Sequence, residues 1–387
     1  MQIMNFDTII DRRGSGCFKY DALQLRYGKD DLIPLWVADM DFAVAEPIQA
    51  ALAQRLKHPI FGYNFIGDDF YDAVRHWQKT QYGWDTSASE IIMIPSLMTA
   101  LAYTILTLSE PGDKIVIQTP VYPPFHSTVK EQQRELLCNA LLETNGRYEI
   151  DWTDFEAKIK QAKIFILCNP HNPVGRVFTR EELERMSDIC ARYDVIIFSD
   201  EIHADLVYAP HQHIPIASIR AERVISAISP AKSFNVAGLA TGVLILQDEE
   251  FIQKITEMNM NLHSFMGNAF GIRALIAAYT QSAPWLASVK EYLKANRDYL
   301  AGFLAEHLPK VKMSPCEGSY LAWLDFREYG LTDDDLMQML RDKARVALNA
   351  GNSFGSEGTG FVRLNFACPR AVLQEALVRI KENFQDV

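Results

Sequence analysis

Short runs of apolar residues, each followed by text with helical spacing, constrain this chain more than any other feature. Glu90 to Ile94, Lys114 to Gln118, Lys163 to Cys168, Val195 to Ser199 and Val243 to Gln247 are apolar at consecutive positions rather than alternate ones. A strand apolar on both faces must be covered on both faces, the mark of a parallel sheet held between helix layers. Pro47 to Leu56 and Asp68 to Gln81 carry helical periodicity. After the third run, F-T-R-E-E-L-E-R-M opens on Thr179 with Glu182 three residues on. That capping-box spacing predicts a helix reaching about Arg192. The alternation predicts an α/β layer fold with a mainly parallel sheet.

Around Ala283-Pro284-Trp285 the pattern changes. A long helix is predicted from Leu286 to His307, then strands at Tyr320 to Leu324 and Phe361 to Phe366, with helices near Asp333 to Asp342 and Arg370 to Asn383. This reads as a smaller α+β domain, completed by the polar, glycine-containing N-terminal segment. The expected division is a large domain over 45–285 and a small one built from 1–44 and 286–387.

Composition excludes several roles. A net charge of −11 disfavours nucleic acid as a partner, while an anionic small molecule needs only one or two arginines. No apolar run is long enough to span a bilayer, and M-Q-I-M-N-F-D lacks the pattern of a secretory leader, so the chain reads as soluble and cytoplasmic. Six cysteines with no C-x-x-C pair indicate neither a zinc site nor a disulfide framework. His203, Asp205, His211 and His213 lie close in sequence, but their spacing fits no standard zinc pattern, and no metal is expected.

Four positions raise chemical questions. Lys232 lies among small and apolar neighbours in S-A-I-S-P-A-K-S-F-N-V-A-G-L-A-T-G. It is either an exposed cation or an amine kept out of water, and desolvation would lower its pKa and free its lone pair for carbonyl chemistry. Ser96 falls where the run ending at Ile94 gives way to a helix predicted from Ala100 to Leu108, so it marks an anion site or only a helix cap. Asp200 follows an apolar run, at the strand end where ligands bind in open α/β sheets. Arg363, in F-V-R-L-N-F, sits on an apolar strand and needs an anion, either a ligand carboxylate or a protein one.

These motifs in this order, N-P-H-N-P-V-G (Asn169 to Gly175), S-D-E-I-H (Ser199 to His203) and A-K-S-F-N, resemble the pyridoxal-phosphate (PLP) enzymes of fold type I, in the class I/II aminotransferase-like group. W-V-A-D-M-D-F (Trp36 to Phe42), F-G-Y (Phe61 to Tyr63) and S-Y-L-A-W-L-D (Ser319 to Asp325) are similar to the cystathionine β-lyase branch, the MalY/PatB-type C–S lyases. The likeness covers roughly Asp11 to Arg370.

The resemblance implies a large PLP-binding domain on a seven-stranded-type sheet. Lys232 would be the Schiff-base lysine, Asp200 the partner of the pyridine nitrogen, and Tyr122 the aromatic stacked on the ring. Asn172 would hold the ring's 3′-oxygen, with His203 sharing it. Leu97 and Met98 amides, with Ser229 and Ser96 hydroxyls, would hold the phosphate. Arg363, Asp39 and Tyr320 would face the substrate. Tyr63 would reach the phosphate of a second subunit, making the homodimer obligatory. One departure stands out: many aminotransferases carry a phosphate-binding arginine shortly after the lysine, and here G-L-A-T-G offers Ala240. The expected activity is β-cleavage of L-cystathionine or another S-substituted L-cysteine to pyruvate, ammonia and a thiol. The alternatives are an aminotransferase on the same fold, or a cofactor-free regulatory protein.

Overall fold

The computed structural model describes residues 4–384; the first and last three positions of the expected small domain lie outside it. Its centre is a sheet of β1 (Ile91–Ile94), β2 (Lys114–Thr119), β3 (Glu135–Ala140), β4 (Ile164–Cys168), β5 (Ile196–Asp200), β6 (Val224–Ile228) and β7 (Gly242–Ile245). The seven strands lie in the order β1-β7-β6-β5-β4-β2-β3. Neighbours from β6 to β3 are parallel, whereas β7 runs antiparallel to both β1 and β6. Strands β4, β5 and β6 are buried at every position, as continuous apolar runs require.

Two of these strands had no apolar run to announce them. In β3 the polar Glu135 and Asn139 interrupt the run, and the strand is partly exposed at the sheet edge. In β6 Ser226 does the same, yet it is fully buried because its hydroxyl donates to Glu201 Oε1 at 3.0 Å.

The reversed β7 concentrates the chemistry. Gly242 begins beside Ile94, the last residue of β1, and Val243 lies beside Ile228, the last of β6. The segment 229–241 therefore leaves and re-enters the sheet at one rim. The C-terminal ends of β2, β4 and β5 meet the same rim, because those strands run parallel to β6.

The helices follow their local signals. Thr179 caps Arg180–Arg192, with its hydroxyl accepting from Glu182 N and the Glu182 carboxylate accepting from Thr179 N. The helix expected from Ala100 begins earlier, at Leu97, with Ser96 as its cap. The predicted stretch Asp333 to Asp342 is α-helical only over Asp333–Gln338 and widens to a π-turn over Met339–Lys343. Among the described residues, no helix is long and apolar enough to cross a membrane.

A second, antiparallel sheet contains β8 (Lys312–Met313), β9 (Leu321–Asp325), β10 (Asn349–Ala350) and β11 (Phe361–Asn365), in the order β8-β9-β11-β10. The N-terminal segment joins this half, since Ile33 pairs in parallel with Val346. The following residues, 36–42, form a strap between the two sheets. Asn365 Nδ2 donates to Val37 O and Asp39 O, at 2.6 and 2.7 Å. From the other side Asn235 accepts from Met40 N and donates to Met40 O and Phe42 O, each at 3.0 Å.

Candidate active site

A cavity of about 460 Å³ opens at this rim, walled by turns from β1, β4, β5 and β6, by the strap and by Arg363 of β11. At one end the helix after β1 presents its first residues, Leu97 and Met98. N–H groups in a first turn have no intrahelical acceptor, so they remain available to an anion. Ser96 Oγ accepts from Thr99 N at 3.1 Å, so the serine is a cap as well as a wall residue. Ser229 Oγ donates to Thr241 O at 2.7 Å and accepts from Ala231 N at 3.1 Å; its proton is committed inside the protein. Ala240 also lines this end, in the left-handed region at φ 45°, where a non-glycine residue costs on the order of 1 kcal/mol. The charged side chains lining the cavity are Lys232 and Arg363 as cations and Asp200 as the acid.

Asp200, at the end of β5, is buried and accepts from Ile202 N at 3.1 Å. Burial pushes its carboxyl up to about 6, against the pull of that N–H and of Lys232. No cationic side chain lies within ion-pair distance of it among the described residues, so a cationic partner is missing from its surroundings. His203 places Nδ1 3.1 Å from Ser319 Oγ, and burial holds the ring well below its ordinary pKa and therefore neutral. Tyr122, half-buried after β2, gives the cavity an aromatic wall.

Lys232 sits, half-buried, on the short helix Pro230–Ser233. Nζ donates to Ala38 O of the strap at 2.6 Å. Burial lowers its pKa to about 8; Asp39 and Asp200 oppose the shift and Arg363 adds to it. A measurable fraction is thus the free base near neutral pH.

Arg363 is buried and donates to Asn172 Oδ1 at 3.1 Å, Trp36 O at 3.0 Å and Asn349 Oδ1 at 2.8 Å. Its Nε has no partner, and no carboxylate forms an ion pair with it among the described residues. The protein-carboxylate alternative is therefore not realised. Burial draws the guanidinium down to about 10, so an incoming anion would be bound by a cation that lacks one.

Three expected residues stand apart. Asp39 lies in the strap, but its carboxylate is gripped by Arg12 and faces a neighbouring cavity. Tyr320 is fully buried and its hydroxyl donates to Ala38 O at 3.0 Å, so it reaches the amine through a shared carbonyl rather than lining the cavity. Tyr63 is 93% exposed and touches none of these groups within one chain. The four clustered acid and histidine residues are separately engaged: His203 with Ser319, Asp205 with Trp77 and Tyr82, His213 with Glu201, and His211 3.7 Å from Glu317.

Asn349, Thr241 and the carbonyls of Trp36 and Ala38 are site groups that sequence reasoning missed. Asn349 lies on a two-residue strand, too short for any periodic signal, and backbone acceptors carry no residue code.

The donor set fits PLP. Free helix amides suit a phosphate, a buried carboxylate without a cation suits a protonated ring nitrogen, Asn172 and His203 suit a ring oxygen, and an amine of lowered pKa suits an aldehyde.

Residues 30–380 match the family model for aminotransferase class I and II, and the chain belongs to that family. Among curated relatives it is 41% identical to cystathionine β-lyase PatB of Bacillus subtilis (strain 168), covering 98% of this chain and 99% of that one. Cystalysin from Treponema denticola, whose structure contains a pyridoxal 5′-phosphate cofactor, superposes with a TM-score of 0.96 at 31% identity, covering 99% of both chains. The PLP-bound C–S lyase from Staphylococcus hominis gives 0.92 at 32% identity, covering 98% of this chain and 97% of that one.

Proposed function

We propose that this protein is a PLP-dependent carbon–sulfur β-lyase acting on L-cystathionine or related S-substituted L-cysteines. The observation that carries the reading is Lys232: an amine of lowered pKa, on the same cavity as a buried carboxylate without a cation and a buried guanidinium without an anion. The full-length similarity to PatB and to a C–S lyase supports the reaction class.

Bound PLP supplies an aldehyde carbon for amines and a ring that accepts the electron pair left at the substrate's Cα. Leu97, Met98 and Ser96 would hold its phosphate, Asp200 its ring nitrogen, Asn172 and His203 its ring oxygen, and Tyr122 its ring face. Arg363 grips the α-carboxylate with a planar fork, which Asn172 and Asn349 keep oriented. Lys232 Nζ takes the Cα proton, and the thiolate then departs from Cβ. Water converts the three-carbon remainder to pyruvate and ammonia.

The region 45–285 is assigned to the large domain, with 1–44 and 286–387 in the small one; the pairing of Ile33 with Val346 supports that division. The protein is assigned as a homodimer in which Tyr63 reaches the partner's phosphate site. Ile60, Phe61, Tyr63 and Phe65 form an exposed apolar stretch that a second copy would cover. The six cysteines are free, which supports a cytoplasmic location.

The deciding assay measures pyruvate and thiol release from cystathionine and S-alkyl cysteines without any keto acid. Release without a keto acid is expected. Amino transfer that requires 2-oxoglutarate and yields no thiol would replace the lyase reading with the aminotransferase one. Borohydride reduction followed by digestion should place the cofactor on the peptide containing Lys232.

A further inference from the structure

A second cavity, of about 570 Å³, opens from the same lysine. It shares Phe18, Val37, Ala38, Lys232 and Ala237 with the first, so the two chambers meet at the amine. Its wall contains a compact set of charges. Asp41 of that wall is almost wholly buried and is paired at 2.7 Å with Lys19, a fully buried lysine that does not itself line the cavity. Arg12 and Asp39 are paired at 2.7 Å, and their side chains stay 21% and 20% exposed.

The Arg12 fork is only partly used. Nη1 donates to Asp41 Oδ1 at 2.6 Å, Asp39 Oδ1 at 3.1 Å and Met40 O at 3.3 Å, and Nη2 donates to Asp39 Oδ2 at 2.7 Å. The Nε–H and the second Nη2 hydrogen have no acceptor among the described residues. Asp39 Oδ2 accepts from Arg12 alone and keeps a lone pair free. The charges of the network Arg12, Lys19, Asp39 and Asp41 cancel, yet at the cavity surface the Arg12–Asp39 pair offers a charged donor and a charged acceptor side by side.

A substrate with its amino group at Lys232 and its carboxylate at Arg363 still has its Cβ substituent to place. The second chamber is the space beside the amine that neither of those groups occupies. A purely anionic end would meet Asp39 and Asp41, and a purely cationic one Arg12. A zwitterionic end satisfies both members of the Arg12–Asp39 pair and leaves no net charge enclosed.

We propose that this second chamber receives the part of the substrate beyond sulfur, and that its Arg12–Asp39 wall favours a distal end carrying both ammonium and carboxylate over an uncharged alkyl group. The proposal rests on the lyase reading.

The test compares kcat/KM for L-cystathionine and S-ethyl-L-cysteine in the holoenzyme and in Arg12→Gln and Arg12→Lys. The ratio of cystathionine to S-ethyl-L-cysteine should fall about tenfold or more in Arg12→Gln, mainly through KM for cystathionine. Arg12→Lys keeps a cation against Asp39 and Asp41 and so guards against misfolding; it lacks the free fork hydrogens, and its ratio should fall severalfold. A ratio unchanged in both variants overturns the proposal, as does a parent enzyme that cleaves S-ethyl-L-cysteine but not cystathionine. A parent enzyme that cleaves neither overturns the lyase reading, and this one with it.

Discussion

Asn172 accepts a hydrogen bond from Arg363 at 3.1 Å, joining the turn after β4 of the large sheet to strand β11 of the small one. The same guanidinium reaches Asn349 and Trp36 O, so its plane is fixed by three acceptors while Nε stays unpartnered. Lysine has a single ammonium in place of that fork. Arg363→Lys should lower kcat/KM by roughly 100-fold, chiefly by raising KM, since truncating a buried charged donor typically costs about 2–5 kcal/mol. Steady-state kinetics on one thioether substrate checks this.

Asp200 makes the cofactor-free protein sensitive to pH in a defined direction. Its carboxyl is raised from 3.8 to about 6, so between those values the folded chain holds a proton that the unfolded chain has lost. The stabilising effect is complete below about pH 4 and disappears as pH rises through 6. Asp200→Asn removes the titration. Urea unfolding of both cofactor-free proteins from pH 4 to 7 should show the variant gaining on the parent by an amount on the order of 3 kcal/mol. A gap that shrinks with pH would contradict the assignment.

Gly271 lies in the helix Ala269–Gln281, where it meets the loop that returns from Lys232 to β7. A Cβ there would lie 1.9 Å from Thr241 Oγ1 and 2.4 Å from Leu239 O. The second atom is backbone, so relief requires the loop carrying Ala240 and Thr241 to move. Gly271→Ala should weaken PLP binding about tenfold or more, measured by equilibrium dialysis, because that loop walls the expected phosphate end.

Thr179→Ala offers a contrast remote from the cavity. Losing the cap of Arg180–Arg192 should cost about 1 kcal/mol in denaturant unfolding and leave kcat/KM within about twofold.

Legibility in the sequence followed the range of the forces involved. The Thr179–Glu182 box is a contact three residues long, and its helix ends where the spacing predicts. Asp200 and Asn172 were visible because each follows an apolar run that ends at the site, and Lys232 because it stands as one cation among small and apolar neighbours. Strand β6 was hidden by Ser226, whose polarity makes sense only once Glu201 lies across from it. Asp39 was expected beside the substrate, and its carboxylate is bound by Arg12, 27 residues earlier, a pairing that nothing local reports. Ala38, which holds the amine through its carbonyl, is an alanine like any other in the text.

The reversed seventh strand also divides the molecule's loops by their freedom to drift. Turns leading into β2, β4 and β5 lie on the rim away from the cavity, and lengthening them would move no reactive atom. Turns leaving β2 and β4 carry Tyr122 and Asn172, β5 ends on Asp200, and the segment 229–241 carries Lys232 between two anchored ends. Insertions and deletions accumulated over descent should therefore collect on one side of the sheet and be nearly absent from the other.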